Sequence, residues 1–232
     1  MSVETVRAVI CDVYHTLLRV GAGPEDAEGR WVELWRGYGM EAEGTLAWFD
    51  AACARKTEER NGVRRAGGER WPEVEWESVA VAVAPRLGEL TAGELDEFLF
   101  GHARLERTVE LMPGAGEVLG RLREAGVVLG IASNGQRYTR RELAWAGLRM
   151  EWFEAAYCFW SGDHGFSKPS AAVFGRLSEA LGRVGIAPWE VLMVGDREDN
   201  DVVPARAAGW RAWHFRDEPG GDWEAVGEWL LP

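Results

Sequence analysis

The chain has little of what secreted, membrane-spanning or disulfide-stabilised proteins need. Only three of its 232 residues are cysteine, and Cys11, Cys53 and Cys158 lie far apart, without a Cys-x-x-Cys spacing. This usage predicts reduced thiols rather than a disulfide framework or a zinc site. No segment approaches the roughly twenty consecutive apolar residues of a membrane span. The start of the chain, Met1 to Val6, contains Glu4 and no long apolar run, so it predicts no signal peptide and a cytoplasmic location.

The chain is also short of positive charge. It has 26 lysines and arginines against 38 acidic residues, a formal net charge of -12. Proteins that bind a nucleic-acid backbone need clustered positive charge, so this balance argues against nucleic acid as a partner. A small phosphorylated substrate remains open, because one local cation or a metal can override the overall charge. We expect a monomer or a homodimer.

What the sequence does have is an alternation of apolar strands and amphipathic helices. Apolar segments with strand character are predicted at five places: Arg7–Cys11, Val127–Ala132, Ala155–Trp160, Val191–Val194 and Arg211–Phe215. Helical patterns separate the last four, and helical crossovers between strands are typical of a parallel sheet with helices on both faces. The sequence therefore predicts an α/β fold with a doubly wound parallel sheet.

Between the first two strands, from about residue 27 to residue 107, the pattern is helical. Aromatic and apolar residues recur at helical spacing, which favours packing over a cofactor site. Asn61-Gly62 is a turn signal, Trp71-Pro72 through Arg86 reads as one helix, and Thr91 with Glu94 predicts a capped helix start. We therefore predict two units: a core formed by residues 1–20 and 108–232, and a helical-bundle insert formed by residues 21–107.

A glycine-rich segment resembles a dinucleotide-binding loop only superficially. Gly114-Ala115-Gly116 is followed by Gly120, but the pyrophosphate interpretation requires a strand immediately before the loop. Pro113 follows a poor strand candidate, so a helix start explains the glycines better.

Polar residues follow four of the predicted strands, at or near the strand ends. They are Asp12 and Thr16 after the first strand, Ser133 and Asn134 after the second, Lys168 in the loop after the third, and Asp196, Asp199 and Asp201 after the fourth. Singly, turn caps, helix caps or a solvated lysine explain them. Because the carboxyl ends of parallel strands form the ligand-binding edge of such sheets, their joint occurrence predicts an active site.

The arrangement resembles the haloacid dehalogenase superfamily of hydrolases over essentially the whole chain. The family's four signatures are matched by Asp12-Val13-Tyr14-His15-Thr16, by Ser133, by Lys168-Pro169, and by Gly195-Asp196 with Asp201. The resemblance implies a Rossmann-like core, and it implies that the helical insert is a cap over the active site.

The resemblance also implies a nucleophile and a metal. Asp12 would be the nucleophile, forming a covalent intermediate on its carboxylate that water then cleaves. Mg²⁺, which prefers oxygen ligands, would be held by Asp12, Asp196 and the main-chain carbonyl of Tyr14. Asp201 would support this metal site, and Asp199 is a further candidate for the same role.

The same resemblance implies the groups that bind substrate. Ser133 and Lys168 would take part in catalysis by binding the oxygens of the transferred group, and Lys168 would also neutralise the carboxylates. Thr16 and Asn134 would complete the substrate-binding set.

Tyr14 departs from the family's phosphatase pattern, which has a second aspartate that protonates the leaving alkoxide and later activates water. A tyrosine with an ordinary pKa near 10 is a poor general base at neutral pH. Tyr14 and Ser133-Asn134-Gly135 resemble the family's metal-independent 2-haloacid dehalogenases, whose halide leaving group needs no proton. The acidic fourth signature instead favours a metal, because close carboxylates repel each other without one.

We therefore expect Mg²⁺-dependent hydrolysis of a small-molecule phosphate monoester, and Tyr14 is a candidate catalytic residue. A 2-haloacid dehalogenase and a catalytically weakened binding protein are the alternatives. His15 is a candidate substitute for the missing acid, although adjacent side chains generally point apart, which favours a position at the rim. Arg36 is a candidate for contacting a substrate carboxylate, and a solvated or stacked arginine is the simpler interpretation.

Overall fold

The computed structural model describes residues 6–231. The signal-peptide prediction, which concerns Met1 to Val6, lies outside the described residues except for Val6. In chain order the strands are β1 (Ala8–Cys11), β2 (Leu18–Ala22), β3 (Arg107–Leu111), β4 (Val128–Ser133), β5 (Phe153–Trp160), β6 (Val191–Gly195) and β7 (Arg211–His214). The helices are α1 (Ala27–Gly37), α2 (Leu46–Ala66), α3 (Trp76–Val83), α4 (Ala92–Glu106), α5 (Ala115–Glu124), α6 (Thr139–Trp145), α7 (Ser161–His164), α8 (Ala171–Gly182), α9 (Val203–Ala207) and α10 (Trp223–Leu230).

The main sheet has five parallel strands in the order β5-β4-β1-β6-β7. β1 lies at its centre, and all four of its residues are fully buried. Alternate residues of β1 face opposite layers: Val9 and Cys11 pack with α5, α6 and α10, whereas Ala8 and Ile10 pack with α8 and α9. Coverage of both faces explains the uninterrupted apolar run, and the predicted doubly wound α/β sheet is confirmed.

A second, two-stranded sheet escaped the sequence prediction. β2 and β3 pair antiparallel, with Leu18 opposite Leu111 and Ala22 opposite Arg107. This ribbon joins the main sheet to the helices α1 to α4. A strand therefore does precede Gly114, contrary to the sequence prediction. β3 nevertheless lies outside the parallel sheet that a dinucleotide-binding loop requires.

The helices between β2 and β3 have their own apolar core. Trp31 and Trp35 of α1 contact Phe98 of α4, with ring centroids 5.8 and 5.1 Å apart, and Trp31 also contacts Phe49 of α2 at 5.0 Å. All four rings are fully buried. The aromatic stripe is thus packing, as predicted, while the division of the chain at residues 20/21 and 107/108 remains a prediction.

Two details of the helical insert differ from the sequence prediction. α2 continues through Asn61-Gly62 to Ala66, because Arg60 donates to Ser78 and so holds this part of the helix against α3. The segment from Trp71 to Arg86 is not one helix: it contains α3 and a 3₁₀ turn over Pro85–Glu89.

The first residues of that segment instead form a strap, residues 71–75, that lies against the core. Trp71 accepts a hydrogen bond from the Ser167 N–H, and the Glu73 N–H donates to Gly165, both at 2.9 Å. These main-chain bonds keep the strap extended. The predicted cap at Thr91 is confirmed, since its side chain and that of Glu94 form a reciprocal capping box.

The three cysteines are free thiols, as the sequence predicts. Among residues 6–231, no helix combines the length and the hydrophobicity needed to cross a lipid bilayer.

Candidate active site

The parallel strands bring four of the sequence-predicted residues to one edge of the sheet. Asp12 follows β1, Ser133 ends β4 and Asp196 follows β6, and these three strands are neighbours. Lys168 lies in the loop between α7 and α8. All four line a cavity of about 220 Å³, together with Tyr14, His15, Asn134, Arg197, Asn200 and Asp201.

A buried ammonium group holds the carboxylates of this cavity together. Lys168 Nζ lies 2.6 Å from Asp12 Oδ1 and 2.6 Å from Asp201 Oδ1, and the exposed fractions of the three side chains are 2, 12 and 1%. Burial alone would lower the pKa of Lys168, but the two carboxylates outweigh it and keep this pKa above its ordinary value. The two carboxylates therefore favour the ammonium form of Lys168 beside Asp12.

The electrostatics of Asp12 are set mainly by burial. Loss of hydration raises the pKa of Asp12 to about 6, while Lys168 opposes the rise and Asp201 adds to it. Burial also raises the pKa of Asp196, with Asp201 as the next largest cause. The site holds more negative charge than Lys168 balances, which is the condition that favours a bound cation.

The three aspartates differ in how much hydrogen-bonding capacity they have left. Asp201 uses both carboxylate oxygens: Oδ1 accepts from Lys168 and Oδ2 accepts from the Arg197 N–H. Oxygens of Asp12, Asp196 and Asp201 lie within 4.8 Å of one another. Asp199 is exposed and paired with Arg197, so the structure does not bring it into the site and the role considered for it above is corrected.

Asn134, Ser133 and Thr16, which are predicted to bind substrate, have different surroundings in the structure. Asn134 clamps the main chain of Lys168, accepting from its N–H at 2.8 Å and donating to its carbonyl at 3.0 Å. Ser133 Oγ is buried on the cavity wall and has no hydrogen-bond partner among the described residues. Thr16 is fully buried and does not line the cavity, so the structure does not place its hydroxyl where a substrate would contact it.

The Tyr14 hydroxyl is fully occupied by neighbours that sequence reasoning missed. It donates to Glu142 Oε2 at 2.5 Å, and it lies 3.1 Å from Arg107 Nη2 and 3.0 Å from Thr139 Oγ1. Arg107 also donates from Nε to Glu142 at 3.0 Å. Burial raises the pKa of Tyr14 well above its ordinary value; Arg107 opposes this rise, while Glu142 adds to it.

No local signal in the sequence marks these partners. Glu142 has the sequence context of a solvated helix residue, yet its side chain is 1% exposed. Arg107 is the junction between α4 and β3, where an arginine is unremarkable. The contact between Arg107 and Tyr14 joins residues 93 positions apart in the chain, and no local pattern specifies it.

The two remaining candidates lie outside this network. His15 is exposed on the cavity wall, with a left-handed φ of 60°, which agrees with the expected position at the rim. Arg36 is exposed on α1 and does not line the cavity.

The cavity with the carboxylates is not the largest in the described residues. A larger one, of about 830 Å³, lies between α2, the strap and the core loops near Gln136 and Asp163. Gln136 forms part of its wall and bonds the main chain of Val74 in the strap and of Trp76 at the start of α3. This cavity lacks Asp12 and Lys168, so we place the chemistry in the smaller one.

Comparison with known proteins gives one family. Residues 6–209 match the family model "Hydrolase: haloacid dehalogenase-like hydrolase". A 122-residue segment is 38% identical to phosphoserine phosphatase of Thermus thermophilus, covering 52% of this chain and 45% of that protein. A 108-residue segment is 35% identical to glyceraldehyde 3-phosphate phosphatase of Pyrococcus abyssi, covering 45 and 42%. The matches thus span less than half the length of these two relatives.

Two solved structures have a similar fold over nearly the full length. One is a magnesium-bound haloacid dehalogenase-type hydrolase of Bacillus subtilis, with a TM-score of 0.54, 20% identity, and coverage of 99% of this chain and 100% of that one. The other is an L-2-haloacid dehalogenase, with a TM-score of 0.54, 19% identity and coverage of 98 and 100%. At these identities the likeness concerns the fold alone.

Proposed function

The chain belongs to the haloacid dehalogenase-like hydrolase family, and we propose that it is a Mg²⁺-dependent phosphatase of a small phosphorylated metabolite. One observation carries the proposal. Asp12, Lys168, Asp196 and Asp201 line a single cavity, with a buried ammonium between two of the carboxylates. A nucleophile, a cation and spare carboxylate oxygens at one place suit phosphoryl transfer.

The donor set of the cavity fits Mg²⁺. The aspartate oxygens lie within 4.8 Å of one another, and hard divalent cations prefer oxygen ligands. Asp12, Asp196 and the main-chain carbonyl of Tyr14 would hold the ion, and Asp201, whose oxygens are already occupied, would support them. The ion would neutralise the carboxylates and polarise the phosphoryl group.

The protein's own residues supply the remaining functions. The Asp12 carboxylate attacks phosphorus and forms an aspartyl phosphate that water then hydrolyses. Lys168 has one N–H left after its two ion pairs, and Ser133, whose hydroxyl has no partner among the described residues, lines the same cavity, so both bind phosphoryl oxygens. Asn134 keeps Lys168 in place through its main chain.

The relatives support phosphate as the transferred group. The names of the two proteins with 38 and 35% identity both state phosphatase activity on a small phosphorylated molecule. Because less than half of each relative is matched, we carry over only the broad class of small phosphorylated molecules, and neither the individual substrate nor the type of phosphate bond.

Hydrolysis of p-nitrophenyl phosphate tests this proposal. We expect phosphate release with Mg²⁺, loss of activity with EDTA and recovery when Mg²⁺ is restored. Asp12→Asn should reduce turnover to background, whereas the matched control Asp199→Asn, on an exposed aspartate outside the cavity, should keep it. Activity that persists in EDTA, or in Asp12→Asn, would contradict the proposal.

The environment of Tyr14 favours one second candidate, a metal-independent 2-haloacid dehalogenase. The Tyr14 hydroxyl is held by Glu142 and Arg107, and a halide leaves without the proton that such a group would supply. Chloride release from 2-chloropropionate in the presence of EDTA would establish this activity. Absence of both activities would indicate the weakened binding protein.

We further propose that residues 21–107 act as a cap and residues 1–20 and 108–232 as the catalytic core. The strap supports this division, since Trp71 and Glu73 bond the core loop at Gly165 and Ser167 and would separate when a cap opens. The free thiols agree with a cytoplasmic location, and we propose a monomer or a homodimer that binds no nucleic acid.

A further inference from the structure

The Tyr14 hydroxyl has no capacity left for a substrate. A phenol has one proton to donate and lone pairs that accept two hydrogen bonds. The proton goes to Glu142 Oε2 at 2.5 Å, because that carboxylate only accepts. The oxygen then accepts from Arg107 at 3.1 Å and from Thr139 at 3.0 Å. All three positions are taken by protein groups.

The basic and hydroxyl groups of the cavity do not replace Tyr14 as the donor of a proton to a leaving group. Lys168 and Ser133 face the transferred group, and Lys168 is held as a cation by two carboxylates. Arg197 is paired with Asp199. His15 is exposed, and among residues 6–231 no hydrogen bond orients its ring; a general acid has to be held within reach of the atom it protonates.

We propose that the site is specialised for acyl phosphates and comparably activated phosphates, whose leaving groups depart without a proton. This inference rests on the phosphatase function proposed above. Glu142 and Arg107 are positioning residues that set this preference by occupying the Tyr14 hydroxyl. An alkyl phosphate would be a poor substrate, because its leaving alkoxide needs protonation. This distinguishes the chain from the relatives named above, since phosphoserine and glyceraldehyde 3-phosphate are alkyl phosphates.

The reaction balances without an acid from the protein. In the first step a bond forms between Asp12 Oδ and phosphorus, and the bond from phosphorus to the acyl oxygen breaks, its electron pair leaving with the carboxylate. In the second step water attacks phosphorus, the Asp12 oxygen leaves with its electron pair, and the water proton passes to a phosphoryl oxygen. An acyl phosphate and water thus give a carboxylate and dihydrogen phosphate.

A leaving-group series tests the proposal. The assay measures kcat/KM with saturating Mg²⁺ for acetyl phosphate, aryl phosphates with phenols of graded pKa, and the alkyl ester β-glycerol phosphate. We expect kcat/KM to fall steadily as leaving-group pKa rises, with the alkyl ester at least about 10²-fold below acetyl phosphate, the lower end of what a general acid contributes. An alkyl ester within tenfold of acetyl phosphate would overturn the proposal. Failure to cleave any of these substrates would instead refute the phosphatase function itself.

Variants of Glu142 test its role as a positioning residue. Glu142→Gln keeps an acceptor for the Tyr14 proton and should leave the ratio of alkyl to acyl activity unchanged. Glu142→Leu removes the acceptor and frees the hydroxyl, so this ratio should rise by about tenfold or more. Partial unfolding lowers both activities by the same factor and leaves the ratio alone, so a merely structural role would not move it. The matched control is Glu179→Leu, at an exposed ion pair with Arg183. An unchanged ratio in Glu142→Leu would overturn the role given to Glu142.

Discussion

Replacing Lys168 with methionine tests the charge balance of the site in the metal-free protein. Lys168 Nζ contacts Asp12 and Asp201, each at 2.6 Å, and all three side chains are almost inaccessible to solvent. Removing one partner of a buried ion pair leaves an uncompensated charge and costs about 3–5 kcal/mol. Methionine keeps much of the side-chain volume without the charge. We therefore expect the free energy of unfolding in EDTA at pH 8 to fall by about 3–5 kcal/mol.

The loss of stability in Lys168→Met should increase with pH. Burial already raises the pKa of Asp12 from 3.8 to about 6 with the lysine present, and removing the ammonium raises it further. A carboxyl whose pKa is higher in the folded than in the unfolded protein favours folding fully only below the unfolded pKa. That contribution is lost as the pH rises through the folded pKa. Lys168→Met should therefore lie closer to the parent protein at pH 5 than at pH 8.

Urea unfolding followed by tryptophan fluorescence, with EDTA at both pH values, measures the effect. The matched control is Lys56→Met, because Lys56 forms an exposed pair with Glu59 at 3.0 Å and such pairs contribute only about 0–1 kcal/mol. A loss below about 1 kcal/mol in Lys168→Met, or an equal loss at pH 5 and pH 8, would refute the reasoning, since a buried pair removed in this way costs about 3–5 kcal/mol.

Three further predictions concern the neighbours of the site and a distant helix cap. Asn134→Ala removes both hydrogen bonds that clamp the Lys168 main chain; kcat should fall by about 10–100-fold, with a smaller change in KM, in steady-state kinetics. Ser133→Ala removes a buried hydroxyl without a partner in the described residues, so kcat/KM should fall while the free energy of unfolding stays within about 1 kcal/mol of the parent. Thr91→Ala breaks the capping box with Glu94 and should cost about 1 kcal/mol in urea unfolding without changing kcat/KM.

The central strands were predictable because burial leaves a direct trace in the sequence. β1 and β6 are continuous apolar runs whose residues are all buried. β2 and β3 were not predictable, because β2 shows no regular alternation and β3 alternates without a single fully buried residue. Their pairing also joins segments separated by more than eighty residues, and nothing local in either segment specifies its partner.

Tertiary contacts likewise decide the ends of the helices in the insert. Asn61-Gly62 has turn propensity, but α2 continues past it because Arg60 and Arg64 bond the main chain of Ser78 and Glu73. These bonds cross from one element to another, so no propensity scale contains them. The predicted turn failed for this physical reason.

The candidate site could be predicted from the sequence because charged and polar residues occur where apolar strands end, at positions that are buried in the fold. Taken as a whole, the buried group of Lys168, Asp12 and Asp201 stabilises the fold no more than well-packed apolar residues would, and a buried hydroxyl without a partner adds nothing to stability. Local pattern and fold agree along β1, β4 and β6 and disagree where these strands end, which is where functional sites are expected.

The network around Tyr14, which the sequence did not reveal, also contains buried charge. Glu142 is a buried carboxylate whose oxygens are satisfied by Arg107 and Tyr14. Buried ionic groups of this kind contribute little net stability, and well-packed apolar residues often replace them without loss. Stability alone therefore gives a weak reason for a charged pair at this position. Control of the Tyr14 hydroxyl gives a stronger one, because Glu142 accepts its proton and Arg107 donates to its oxygen beside the nucleophile.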